Sequence, residues 1–194
     1  VTGDNVSCAY SEEITITVTY PCTGLGTGHT PISSLPFSES STTCGAVDDI
    51  TSSNATVCGS TSYYTGEDVV YSFTPTTDGS ITISLTSTGT YTGIMLYDDC
   101  PMSGQGGSCM GYSQSSSGNE SLCVSVQQDV TYYLVIDSYD SPDCNPYSIS
   151  ISAPDPAGVP GDLPCYATPI AIGGIQSGDN ACATGIDEQS AATC

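Results

Sequence analysis

The chain has 194 residues and a formal charge of −21, since its 21 Asp and Glu stand against no Lys or Arg. Without a basic group to displace counterions, nucleic acid and anionic membrane surfaces have nothing to bind. Side-chain ion pairs are limited to whatever His29 makes, and proteases or sortase-type enzymes that need Lys or Arg find no site. Acidophile or halophile composition explains the sign, but only 11% of residues are charged, so Ser, Thr and Gly must cover much of the surface. The 11 Cys read as a disulfide framework, which belongs outside the reducing cytosol, in a secreted or cell-surface protein. A metal alternative is weak, because no C-x-x-C occurs and His29 is the one histidine. No leader segment is visible; one would have been removed or lie outside this stretch. No apolar run approaches the ~20 residues that span a bilayer.

In chain order, Ser7-Cys8-Ala9-Tyr10 leads into an alternating run in which Ile14, Ile16 and Val18 share one face. His29 follows in a Gly-rich loop. It lacks a G-x-S-x-G partner or any comparable setting, so no catalytic triad is expected. Val69, Tyr71 and Phe73 alternate, then Thr74 to Gly79 carry turn chemistry, and Ser80 to Thr86 alternate again. Ile94 to Tyr97 and Tyr132 to Ile136 are continuous apolar runs, which predicts central strands covered on both faces. Ser121 to Val126 and Tyr147 to Ile151 return to alternation. No long i, i+3, i+4 pattern predicts a helix. The expected fold is all-β: a disulfide-bonded β-sandwich of jelly-roll type, with partial repeat segments at both ends.

Gly66-Glu67-Asp68-Val69-Val70-Tyr71-Ser72-Phe73, the alternating strand, Ile94-Met95-Leu96-Tyr97-Asp98-Asp99-Cys100, Val130 to Asp137 and the closing Tyr147 to Ile151 strand resemble the bacterial pre-peptidase C-terminal domain family. The resemblance covers roughly residues 30 to 153. It implies a small secreted sandwich, an accessory or binding module of proteases and surface proteins, with no active site to transfer. This chain departs from that family in having no Trp and no basic residue.

The ends repeat the middle. Thr30-Pro31-Ile32 through Cys44 matches Thr168-Pro169-Ile170 through Cys182 without a gap, placing Phe37 on Ile175 and Cys44 on Cys182. Cys58 matches Cys194 after a two-residue deletion. The Cys8 segment matches Asp143-Cys144-Asn145-Pro146-Tyr147 and the strand after it. The expected organisation is 1–22 as the end of a preceding repeat, 23–153 as a whole one, 154–163 as a Pro/Gly linker and 164–194 as the start of the next. Such a chain is either one stretch of a tandem array or a unit whose neighbours complete each other's sheets. Ile14, Ile16, Val18, Ile170, Ile172 and Ile175 are the expected assembly residues.

Candidate sites are few. Asp98, Asp99, Asp137, Asp140 and Asp143 are Ca²⁺ candidates if they converge at strand ends, with solvated turns the blander reading; no other cofactor is expected. Glu67-Asp68 reads as a turn before a strand. A glycosidase-type carboxylate pair has no signature here. Cys44, Cys58, Cys100, Cys109, Cys123, Cys144, Cys182 and Cys194 are expected in disulfides. Proximity suggests Cys44–Cys58 and Cys100–Cys109, with Cys123–Cys144 as a looser pair. Asn5, Asn54 and Asn119 open N-x-[ST] sequons, and Ser38 to Thr43 and Ser113 to Ser117 suit O-glycans. The 13 Tyr suit core and edge packing or a sugar-binding face.

These features lead to a non-enzymatic subunit of an extracellular fibre or surface array, joined end to end by strand sharing, with attached glycans and with copies of itself or adjacent repeats as partners. The alternative is a carbohydrate- or surface-binding accessory module of a secreted hydrolase.

Overall fold

A computed structural model describes residues 22–26, 28–139 and 144–155 of the chain. Nine strands form two sheets: β1 (Thr30–Ile32), β2 (Phe37–Thr42), β3 (Val69–Phe73), β4 (Gly79–Ser87), β5 (Thr92–Tyr97), β6 (Cys109–Gln114), β7 (Glu120–Val126), β8 (Tyr132–Ser138) and β9 (Pro146–Ile151). One sheet has the order β1-β3-β8-β5-β6 and the other β2-β9-β4-β7. From β3 onward the chain crosses between sheets at almost every connection, β5 to β6 being the exception. This is the expected all-β sandwich. The one helical element among the described residues is a 3-10 turn at Thr61–Tyr63.

Period-two alternation sets the four-stranded sheet. Ile81, Ile83 and Leu85 of β4 and Tyr147, Ile149 and Ile151 of β9 are buried, while the residues between them face outward. Register aligns them in rows: Phe37 faces Ile151, Ile151 faces Ile83, and Ile83 faces Leu122. Against this inner face lie Tyr71, Phe73, Ile94, Leu96, Tyr132, Leu134 and Ile136 of the five-stranded sheet, closing one apolar core.

The continuous runs of β5 and β8 are buried at every position, as their composition predicts. Their second face is covered by loops. Met95, Tyr97, Tyr133 and Val135 pack under Cys22, Ile50, Ala55, Cys58, Tyr64 and Met102, forming a second core. Tyr64 and Tyr97 share a hydroxyl–hydroxyl bond of 2.7 Å inside it. The cover is therefore irregular chain held by disulfides and hydrogen bonds, which period-two patterning does not reveal.

Beyond β9 the chain keeps to the sheet. Ser152 N donates to the Thr82 carbonyl, and Asp155 and Ser80 exchange two backbone bonds of 2.9 and 3.0 Å. Gly79 permits this approach: a Cβ there would lie 2.6 Å from the Asp155 carbonyl carbon.

Candidate functional site

Each carboxylate drawn into the fold is held by N–H and O–H donors, the remaining option in a chain without Lys or Arg. Asp68 Oδ2 accepts from Asp49 N and Ile50 N, both at 2.8 Å. Glu67 Oε2 accepts from Gly45 N at 2.7 Å. Glu120 accepts from the Ser113 and Ser115 hydroxyls, and Glu39 from Tyr71 Oη at 3.0 Å. Asp137 Oδ1 accepts from Gly66 N at 3.2 Å and from Ser138 N, while its buried Oδ2 has no protein partner.

Asp68 and Asp137 sit one rung past the Val69–Ile136 pair of β3 and β8, on the loop-covered face. Burial raises Asp68 to about 7 against its two N–H bonds, with Asp49 and Asp48 adding to the rise. Burial also raises Asp137, to about 9, and the neighbouring Asp68 adds to it. The pair therefore holds at least one proton at neutral pH.

Among the described residues, the Ca²⁺ candidates Asp98 and Asp137 stand apart. Tyr97 faces Tyr133 and Gly93 faces Asp137, so Asp98 and Asp137 are five residues apart along the β5–β8 ladder. That is about 16 Å at ~3.3 Å per residue, whereas Ca²⁺ needs its oxygens within ~2.6 Å of one centre. Asp98 Oδ1 instead accepts from Ser108 N at 2.6 Å, and Asp99 Oδ1 from Cys100 N at 2.7 Å, fixing the loop after β5. Asp140 and Asp143 lie outside the described residues. Glu67 stands beside Cys44 and Cys144, but their sulfurs are joined to each other and offer no thiolate.

All six Cys from Cys44 to Cys144 are disulfide-bonded as expected, but the suggested pairs are corrected. The bridges are Cys22–Cys100, Cys44–Cys144 and Cys58–Cys109. Nearness in sequence misleads because the sandwich sets the chain's early and late parts side by side. Cys44 follows β2 and Cys144 precedes β9, and these strands pair antiparallel. Cys100 and Cys109 each fasten a different part of the covering layer, Cys22 and Cys58. Cys123, on the outward face of β7 opposite Thr82, is disulfide-bonded too, with a partner other than the six cysteines of these three bridges. Cys182 and Cys194 lie outside the described residues, as do Asn5 and the assembly residues Ile14, Ile16, Val18, Ile170, Ile172 and Ile175.

Of the sequons, Asn119 is exposed in the turn before β7. Asn54 is half-buried and its amide is engaged, accepting from Thr51 N at 2.8 Å and donating to the Asp49 carbonyl at 2.9 Å. His29 packs edge-on against Tyr133, with ring centroids 5.4 Å apart.

Two surfaces stand out. The outward face of the four-stranded sheet carries rows of hydroxyls: Ser38, Ser150, Ser84 and Ser121 in one, Ser40, Ser148 and Thr86 in the next. No charge lies in these rows. At one end of the other sheet, Tyr91 and Tyr139 are both 41% exposed, with rings 5.5 Å apart. Sequence pattern does not pair them; the bond from Tyr139 N to the Tyr91 carbonyl, 2.9 Å, does.

No protein-family profile and no curated protein matches the chain. Among solved structures it is similar to the pre-peptidase C-terminal domain of a Bacillus anthracis collagenase, at 17% identity and a TM-score of 0.43. That match covers 64% of this chain and 94% of the domain. It is also similar to a periplasmic inhibitor of g-type lysozyme from Aeromonas hydrophila, at 10% identity and TM-score 0.39, covering 64% and 94%. A third is a surface-associated copper-binding protein of Methylomicrobium album, at 11% identity and TM-score 0.41, covering 66% and 98%. The family that the strand motifs resemble is thus represented among the similar folds. Among the described residues, no helix is long and apolar enough to cross a membrane.

Proposed function

We propose that this protein is a non-enzymatic structural unit of an extracellular fibre or surface array, assembled end to end by strand sharing. The observation that supports it most is that, among the described residues, 30–151 form a two-sheet sandwich of nine strands that includes its own β2 and β9. Segments 164–194 and 1–22 repeat the sequence patterns of those two strands. An alternating row of isoleucines of this kind pairs through another unit's complementary segment. Three disulfides suit an oxidising, extracellular setting, and Asn119 is the sequon best placed for a glycan.

The test is removal of 164–194. The shortened chain is expected to keep a cooperative melt and the tyrosine near-ultraviolet signature of the sandwich while sedimenting as a monomer. The full chain is expected to form filaments visible in electron micrographs. A full chain that stays monomeric, or a shortened one that still assembles, overturns the reading. The paired Tyr91 and Tyr139 favour the second reading, a carbohydrate-binding module, since exposed aromatic faces stack on sugar rings. A monomeric full chain that adsorbs to insoluble polysaccharide, and loses this on Tyr91→Ala with Tyr139→Ala, would establish that reading instead.

A further inference from the structure

We infer that Tyr91 and Tyr139 are a site of oxidative crosslinking, at which peroxide-driven coupling joins the two rings of one chain as dityrosine. Without Lys, no lysine-derived crosslink can form, whereas phenol rings couple carbon to carbon once oxidised. Among the described residues the exposed tyrosines are Tyr91, Tyr112 and Tyr139. Tyr91 and Tyr139 form a pair, with ring centroids 5.5 Å apart and planes tilted by 44°. Tyr112 is more open than either, at 52%, but no ring among the described residues packs against it. Two other pairs, Tyr64 with Tyr97 and Tyr71 with Tyr147, meet hydroxyl to hydroxyl at 2.7 and 2.8 Å and are buried. An oxidant in solution does not reach them. Burial also raises all four of those phenols, which holds back the proton that oxidation must release.

The main chain presents the exposed pair. Tyr139 N donates to the Tyr91 carbonyl at 2.9 Å, just past the Thr92–Ser138 rung of the β5–β8 ladder. Tyr91 takes a φ of +58°, in the left-handed region that a bulky side chain rarely enters. The turn before it is held by Asn145 Nδ2, which donates to the Thr90 carbonyl at 3.2 Å, and by Gly89 N, which donates to Ser87 Oγ at 3.0 Å. Backbone strain of this kind persists only where the surroundings fix it, and it gathers at positions that are used. Exposed rings change rotamer in picoseconds to nanoseconds, so two radicals on tethered neighbours meet sooner than they find a second chain. Like charges, −21 on each chain, keep that second chain away.

The step balances with hydrogen peroxide as oxidant and a haem peroxidase as catalyst. Each phenol gives up one electron and one proton and becomes a phenoxyl radical, with its unpaired electron shared by the ring carbons beside the C–O carbon. One such carbon from each ring joins the other. The hydrogen on each joined carbon then moves to its ring's oxygen, restoring both phenols. The two electrons and two protons reduce one peroxide to two waters. The bond ties the turn before β5 to the end of β8 and, unlike a disulfide, survives reductant.

The experiment uses the full chain. Light and ¹⁵N-labelled chains are mixed in equal amounts and treated with hydrogen peroxide and a haem peroxidase. They are then reduced, alkylated and digested with pepsin in acid, since trypsin has no site. The expected product is a linked Tyr91–Tyr139 peptide, lighter than its two arms together by two hydrogens and with both arms of one isotope. Its yield is unchanged when the protein is diluted. It is lost in Tyr91→Phe and in Tyr139→Phe and retained in Tyr112→Phe. A Tyr91–Tyr139 peptide with one light and one heavy arm would overturn the assignment, as would Tyr91 and Tyr139 recovered unlinked while Tyr112 couples. An equal yield from chain unfolded in urea would also overturn it, since the pairing would then owe nothing to the fold.

Discussion

Asp137 and Asp68 belong to a chain with no basic side chain to neutralise them, and protonation does that work. The unfolded carboxyls titrate near 4, while burial lifts the folded pair to about 7 and about 9. Between these limits the folded state binds more protons than the unfolded one, so stability falls as pH rises. The loss proceeds at up to ~1.4 kcal/mol per pH unit for each group, and it is complete above the folded values. The urea midpoint is accordingly expected to decrease from pH 5 to pH 9. Asp137→Asn should flatten the profile most between pH 7 and pH 9. A midpoint that rises over this range would contradict the assignment. In the sequence Asp137 shows only as an acid ending an apolar run. That Asp68 lies across from it depends on strand register, and that both are roofed over depends on a loop with no periodic signal.

Among the elements, β8 and β7 differ clearly in burial. Leu134, in the middle of β8, is fully buried between β3 and β5 and contacts the inter-sheet core. Leu122 lies on β7 at the rim of the other sheet and is half-buried. Leu134→Ala is expected to cost ~2–5 kcal/mol by lost burial and a cavity, and Leu122→Ala about half as much or less. Equilibrium denaturation of the two variants measures both; equal costs would mean that β7 is covered more fully than its position implies. These strands were legible because alternation and continuous apolar runs report burial on one face or on two. The disulfide partners were not, because a crosslink records which distant segments the sandwich sets side by side. The separation of Asp98 from Asp137 was hidden for the same reason: they share a ladder but lie five residues apart along it.

For the whole molecule, the bridges determine where tension travels. A pull applied at residues 22 and 155 follows the chain from 22 to 44, crosses to 144 and leaves along β9. Everything from 45 to 143, strands β3 through β8, lies beside that route, tied to its start by the Cys22–Cys100 bridge. Once the β1–β3 and Ser80–Asp155 bonds ahead of it have parted, Phe37–Ile151 opens first in the β2–β9 ladder, whose bonds then yield one after another like a zipper until the sulfur bridge stops them. In force spectroscopy the oxidised domain should therefore lengthen by a short, fixed step at low force. The reduced one should release its full contour, ~3.3–3.6 Å per residue. A long release from oxidised protein would exclude this route. A string of such domains would behave as a cord with built-in stops: a little extensible under load, then abruptly stiff.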